Sequence, residues 1–153
     1  MPKEIERKFL VDKTWKPSGD GENISQGYLS NKKEAVVRVR IKGKKGYLTV
    51  KGENKGITRA EFEYEIPVGD AEEMLKLCEK KLEKVRYKEK VGAHTFEIDV
   101  FGGDNEGLTV AEVELKSEDE AFAKPEWILE EVSGDTKYYN SNLVSNPYKL
   151  WKK

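Results

Sequence analysis

The chain has 153 residues, of which 37% are hydrophobic and 37% charged, yet its formal net charge is only −1. The length suits one domain over residues 1–153 with a real core, and the balance excludes a basic nucleic-acid coat or an acidic tail. No apolar run approaches the roughly 20 residues of a membrane span, and the N-terminus has no signal-peptide core. One cysteine, Cys78, rules out an internal disulfide framework and suits a reducing compartment. The expectation is a cytoplasmic protein that meets neither nucleic acid nor membrane.

Residues 1–11 (MPKEIERKFLV) read as a strand. Alternation puts Glu4, Glu6 and Lys8 on one face and Ile5 and Phe9 on the other, with Arg7 at the solvated margin. Two carboxylates about 7 Å apart along a strand, followed by an ammonium, suit a divalent cation beside an anion. Taken alone, the segment fits a charged edge strand equally well. Residues 12–23 form a loop, and 24–30 a short strand carrying Gln26 and Tyr28 on one face. Residues 35–42 are a clear strand, with Val37, Val39 and Ile41 opposite Arg38, Arg40 and Lys42. A hairpin at 43–46 leads into 47–51, where Leu48 and Val50 oppose Thr49 and Lys51. Residues 58–67 then place Arg59, Glu61, Glu63 and Glu65 opposite Phe62, Tyr64 and Ile66.

The period changes next. Asp70 is expected to cap a helix with Glu73 as its capping-box partner, and Met74, Leu75, Cys78 and Leu82 form the apolar stripe. Strands resume over 82–91, with Arg86, Lys88 and Lys90 on one face. They continue over 95–101 with Glu97 and Asp99, and over 108–115 with Glu112 and Glu114. Ser117 is expected to cap a short helix with Glu120 at its third position. Residues 129–132 read as a brief strand and 136–144 as a final helix. His94 reads as a turn residue, Cys78 as core, and Trp127 and Trp151 as packing anchors. Eight or so antiparallel strands joined by turns point to a closed barrel or a sandwich.

The polar faces consist almost wholly of full charges, and these are sorted by strand. Carboxylates fall at 4–6, 61–65, 97–99 and 112–114; cations fall at 38–40, 51 and 86–90. In an ordinary antiparallel sheet the polar face meets water, but a merely soluble surface intersperses its signs. Closing the sheet with this face inward gives a wet tunnel poised for a polyanion and its metal ions. Mg²⁺ and Mn²⁺ prefer oxygen ligands, so two to four carboxylates plus phosphate oxygens complete a site. Arg38 and Arg40 offer forked donors that match phosphate oxygens. No Cys/His cluster supports zinc, and no Walker or dinucleotide-binding motif is present.

The segments ExExK (Glu4 to Lys8), VRVR (Arg38, Arg40), LTVKG (Lys51), RAEFEYE (Arg59, Glu61, Glu63), Arg86 with Lys88, FEID (Glu97, Asp99) and AEVEL (Glu112, Glu114) follow in one order. That ordered set resembles the CYTH superfamily, the triphosphate tunnel metalloenzymes, over nearly the whole chain. The resemblance implies a mainly β fold with flanking helices (α+β), an eight-stranded antiparallel closed β-barrel tunnel with a charged interior. It implies Mg²⁺ or Mn²⁺ on Glu4, Glu6 and Glu114, with Glu63, Asp99 and Glu112 in support. Lys8, Arg38, Arg40, Lys51, Arg59 and Arg86 would cradle a triphosphate, helped by Lys88. Lys137 matches a position that reaches in from the tunnel mouth, though it reads as easily as a solvated cap residue.

Tyr28 is the candidate catalytic base, with the Lys51 ammonium favouring its phenolate; it fits a phosphate-binding hydroxyl as well. The implied activity is hydrolysis of inorganic tripolyphosphate to diphosphate and phosphate. Alternatives on the same fold are a class IV adenylyl cyclase, a thiamine or nucleoside triphosphatase, and a non-catalytic polyphosphate-binding module. The implied partner is a small-molecule triphosphate, and a homodimer is compatible with it.

Overall fold

The computed structural model describes residues 3–151; Met1, Pro2, Lys152 and Lys153, which the expected domain boundaries include, lie outside the described residues. The alternating segments become nine strands: β1 (Lys3–Val11), β2 (Glu22–Lys32), β3 (Ala35–Lys42), β4 (Lys45–Gly52), β5 (Thr58–Ile66), β6 (Lys81–Val91), β7 (His94–Phe101), β8 (Thr109–Glu114) and β9 (Ile128–Glu131). Among the described residues two α-helices accompany them, α1 (Val68–Lys76) and the short α2 (Asn140–Leu143). The strand order is β5-β4-β3-β2-β6-β7-β8-β1, and β1 returns to β5, so eight antiparallel strands form a ring. No helix among the described residues is long and apolar enough to cross a membrane.

β1 closes the ring by using one of its edges twice. Lys3, Glu4 and Ile5 pair with Ala60, Arg59 and Thr58 of β5, and then Phe9 and Val11 pair with Glu131 and Ile128 of β9. The other edge of β1 takes β8, from Glu6 opposite Glu114 to Leu10 opposite Val110. Closure leaves few backbone groups unpaired, which is how a sheet avoids exposed edges.

The apolar faces lie outside the ring. α1 lays Ala71 and Leu75, with Cys78 just beyond it, onto Val39. Gly27 of β2 permits that close approach, because a Cβ there would stand 2.8 Å from the Cys78 sulfur. Ile5, Phe9, Phe96, Ile98, Ala111 and Val113 are covered by Trp15, Phe122 and Trp127 from the loops. Trp127 packs edge-on against Phe96, and Trp151 against Tyr138, as packing anchors should. Burying each such side chain stabilises by about 1.5–3 kcal/mol.

The inward face changes character at one end. Leu10, Leu82, Phe101 and Val110 continue the inward alternation, but they are apolar. Val132, Tyr138 and Leu143 from the C-terminal segment pack onto them. That segment stops one end of the ring.

Three local expectations are corrected. The helix starts earlier than Asp70: Pro67 takes the N-cap position with φ −56°, no side chain caps it, and Asp70 sits inside the first turn. Proline fixes the angle at which β5 gives way to helix and has no N–H to leave unsatisfied. The helix ends at Lys76, so Leu82 belongs to β6 rather than to a helical stripe. Residues 117–120 form a turn instead of a helix: the Ser117 hydroxyl donates to Asp119, and Glu120 is drawn away toward His94. Residues 136–144 are two short pieces, a 3-10 turn at Thr136–Tyr138 and α2, broken at Tyr139 with ψ 134°. The break lets both Tyr138 and Leu143 reach the apolar end of the ring.

His94 Nε2 and Glu120 Oε2 stand 2.6 Å apart, linking the start of β7 to the turn after β8. A hydrogen bond from the Lys116 amide, and then the His94 ring, hold the Glu120 carboxyl below its ordinary 4.5. A carboxyl lowered by folding stabilises above its unfolded value, and that stability is lost as pH falls through the folded value. Glu120→Gln is therefore expected to lower Tm at neutral pH by on the order of a degree or two. The difference should shrink as pH falls through the lowered range of this carboxyl. Thermal scans across that range check it; a gap independent of pH would remove the assignment.

Candidate active site

Strand register sets the charged residues against one another across the inner face. Glu6 faces Glu114 and Lys8 faces Glu112 between β1 and β8. Arg86 faces Asp99 between β6 and β7, and Tyr28 faces Arg38 between β2 and β3. Lys51 faces Glu61 between β4 and β5, and Glu4 faces Arg59 where the ring closes. These strands enclose a cavity of about 240 Å³. Among the expected residues, Glu4, Glu6, Glu63, Glu112 and Glu114 line it, together with Lys8, Tyr28, Arg38, Arg40, Lys51, Arg59 and Arg86.

Three expected members stand apart from that lining. Asp99 is enclosed behind it, accepting hydrogen bonds from Arg86 Nε at 2.8 Å and Lys84 Nζ at 2.6 Å. Lys88 is in phase with Arg86 but sits exposed where β6 leaves the ring. Lys137 turns its ammonium onto the faces of Tyr138, at 5.3 Å, and Trp151, at 5.0 Å. The 3-10 turn that points Tyr138 inward points Lys137 away, and cation–π attraction holds it there.

The pairing imagined between Lys51 and Tyr28 is replaced by another. The Lys51 ammonium lies 3.0 Å from Glu4 and 3.4 Å from Glu61. The Tyr28 hydroxyl accepts from Gln26 Nε2 at 3.1 Å, and Gln26 Oε1 in turn accepts from Arg40 Nε at 2.8 Å. A fully buried glutamine thus orients both Tyr28 and Arg40.

Two walls of the cavity are electrostatically incomplete. Burial, then Glu112 and Glu4, push the Glu6 carboxyl well above its ordinary value. Burial and Glu4 also raise Glu61 and Glu114. Glu4 itself is opposed by burial, yet Lys51 and Arg59 hold it at about 2. On the cationic wall, burial and then Arg38 and Arg86 push Arg40 down to about 9. Arg38 Nη2 donates to Thr49 and Glu63, while its buried Nε has no partner among the described residues. Buried polar groups are ordinarily satisfied, so one wall is short of a cation and the other of an anion.

Glu61, Glu97 and Lys84 also belong to this assembly; the alternation that picks out Glu63, Asp99 and Arg86 runs through them too. Ser133, Tyr139, Asn140 and Ser141 line the cavity from the C-terminal segment, where no alternation marks them. Among the described residues, no three His, Cys, Asp or Glu side chains converge closely enough to hold a metal as they stand. The donor set nevertheless fits a hard divalent cation: it is all carboxylate, and three of its members repel their neighbours.

Comparison with known proteins agrees with this geometry. The CYTH domain family model matches residues 2–143. An inorganic triphosphatase of Acetivibrio thermocellus is 54% identical over 155 residues, covering 99% of each chain. An inorganic triphosphatase of Nitrosomonas europaea is 39% identical over 148 residues, covering 92% of this chain and 96% of its own. The crystal structure of the inorganic triphosphatase NE1496 superposes with a TM-score of 0.66 at 36% identity, over 99% of this chain and 97% of that one.

Proposed function

The chain belongs to the CYTH domain family, and from that membership we propose that it is a divalent-metal-dependent triphosphatase that hydrolyses inorganic tripolyphosphate to diphosphate and phosphate. The observation that carries the reading is the opposition inside one cavity: burial and then neighbouring carboxylates raise Glu6, Glu61 and Glu114, while burial and then neighbouring guanidiniums lower Arg40. A phosphate chain with its cation answers both deficits at once. The 54% identity to an inorganic triphosphatase supports the choice of substrate. The reading takes residues 1–153 as one domain. It places the protein in the cytoplasm, in keeping with its single, unpaired Cys78.

Lys8, Arg38, Arg40, Arg59 and Arg86 bind the phosphate oxygens and offset the negative charge that grows as the terminal P–O bond breaks. Glu4, Glu6 and Glu114 would hold Mg²⁺ or Mn²⁺, with Glu63 and Glu112 beside them. The bound cation supplies charge neutralisation and a more acidic water. Lys51 and Arg59 keep Glu4 ionised, and so ready to serve as a ligand. Water attacks the terminal phosphorus in line and diphosphate leaves.

Tyr28 has Gln26 and Arg38 as its neighbours, a setting for a hydroxyl that donates to a phosphate oxygen. Tyr28→Phe is then expected to raise KM about 5–10-fold with little change in kcat. A fall in kcat of more than about 100-fold at unchanged KM would make Tyr28 the base instead.

The deciding experiment measures phosphate release from tripolyphosphate and from ATP, side by side, with Mg²⁺, Mn²⁺ or chelator. Fast metal-dependent release from tripolyphosphate and slow release from ATP are expected. Cyclic AMP with diphosphate would make the protein a cyclase, and binding without turnover would make it a polyphosphate-binding module.

A further inference from the structure

The most deeply enclosed ion pair in the described residues lies just behind the cavity. Lys84 is wholly buried, and its ammonium donates to Asp99 Oδ2 at 2.6 Å beneath the face of Phe101, 5.5 Å away. Asp99 Oδ1 accepts from Arg86 Nε at 2.8 Å, and Oδ2 accepts from Arg86 Nη2 at 3.0 Å. The carboxylate therefore grips one edge of the guanidinium in a fork and receives Lys84 from the other side. Arg86 keeps Nη1 toward Glu97, at 3.4 Å, and lines the cavity.

Burying three charges is costly, and an apolar cluster of the same volume would stabilise the fold at least as well. Stability alone does not account for Lys84. Its charge does something specific: it cancels Asp99, so that Asp99 can hold Arg86 in place without neutralising it. The cluster of Lys84, Arg86 and Asp99 sums to one positive charge, and the guanidinium that presents it on the cavity wall is gripped at two points by Asp99. Both oxygens of Asp99 are occupied by these donors.

We propose that Lys84 and Asp99 are positioning residues that lock Arg86 toward the phosphate chain, and that Asp99 is not a metal ligand. The proposal rests on the triphosphatase reading of the cavity. It assigns to this chain a buried cation, Lys84, that acts on substrate through Asp99 and Arg86.

The test uses the full chain as wild type, Lys84→Met, Asp99→Asn and the double variant. Asp99→Asn leaves Lys84 and Arg86 buried without a counter-charge and is expected to have the lowest Tm of the four. The double variant restores the sum of one positive charge and should recover much of that loss. Calorimetry with tripolyphosphate in chelator should show the dissociation constant raised about tenfold or more in Lys84→Met, where Asp99 neutralises Arg86. KM should rise in parallel, with the Mg²⁺ concentration for half-maximal activity unchanged.

The Arg86 Nε–H resonance, assigned by its absence in Arg86→Lys, reads the locking without any substrate. It should be protected from exchange in the wild type and lost in the double variant. Wild-type binding and kinetics in Lys84→Met, or an Nε–H unchanged in the double variant, would overturn the proposal. So would a raised Mg²⁺ requirement in the double variant with unchanged binding in chelator, which would return Asp99 to the metal. A wild type that neither binds nor hydrolyses tripolyphosphate would refute the triphosphatase reading instead, while the resonance would still judge the locking.

Discussion

Glu4→Gln is expected to lower metal-dependent release of phosphate from tripolyphosphate by about 10²–10³-fold, the scale lost when one pre-organised charge is removed from a transition-state site. Glu4 Oε1 lies 3.0 Å from both Lys51 Nζ and Arg59 Nε, so the carboxylate is both oriented and kept ionised. The amide would keep the shape and lose the charge. A second effect should accompany the first. The lowering of Glu4 from 4.5 to about 2 corresponds to on the order of 3 kcal/mol of stability. A carboxyl lowered by folding gives that stability above its unfolded value and loses it as pH falls through the folded value. Thermal scans should therefore show the variant clearly less stable at pH 7, with the gap closing toward about pH 2. Turnover within about tenfold of wild type across a Mg²⁺ series would end the case for Glu4 as a ligand.

Leu143→Ala is expected to destabilise the fold by about 3 kcal/mol, a fall in Tm of roughly 6–12 °C. Leu143 is fully buried among Leu82, Phe101, Val110 and Tyr138 at the stopped end of the ring. The same side chain anchors the segment that brings Ser133, Tyr139, Asn140 and Ser141 to the cavity. The polar ties that would remain come from two strands: Asn31 Nδ2 donates to the Ser141 carbonyl at 2.6 Å, the Lys8 amide to the Ser133 hydroxyl at 2.8 Å, Lys8 Nζ to the Tyr138 carbonyl at 3.3 Å, and the Val132 amide to the Lys8 carbonyl at 2.8 Å. KM for tripolyphosphate should rise severalfold when measured below the lowered Tm. The limiting rate should hold, because the carboxylates and guanidiniums stand on strands that this change leaves alone. Equal losses in kcat and kcat/KM would show that the segment takes part in the chemistry itself.

Much of this arrangement is legible in the sequence, because alternation is a local property. Once Glu6 and Lys8 share a face with Glu4, and Arg40 with Arg38, their inward placement needs only the ring to close. The sorting of full charges by strand points to that closure, and the family resemblance agrees with it. What local pattern does not carry is the choice of partner across the lumen. Lys51 reads as a neighbour for Tyr28, but Glu4 and Glu61 attract it more strongly than a hydroxyl could. Asp99 reads like the carboxylates of β1 and β8. Its strand, however, lays it opposite Arg86 and within reach of Lys84, where two cations enclose it.

Lys137 and the residues around it have no strand period, so nothing in the chain says that Tyr138 turns inward and Lys137 outward. Asp70 and Ser117 are a different kind of miss: each satisfies a helix-start pattern that a stronger local constraint displaces, Pro67 in the first case and the His94–Glu120 contact in the second. Lys84 was within reach of the pattern, two residues before Arg86 on the same face.

The double use of β1 has a consequence for how the molecule comes to exist. β1 emerges from a ribosome before its partners β5, β8 and β9, and Lys8 meets Ser133 across 125 positions of chain. Local hairpins such as β3–β4 and β6–β7 can form as they appear, while the first strand waits with both edges bare. Long-range closures of this kind are slow and leave sticky edges exposed in the interval. Glu4, Glu6 and Lys8 are thus the earliest active-site residues translated and the last to be seated, so a nascent chain that stops short of β8 would carry them and still have no closed ring.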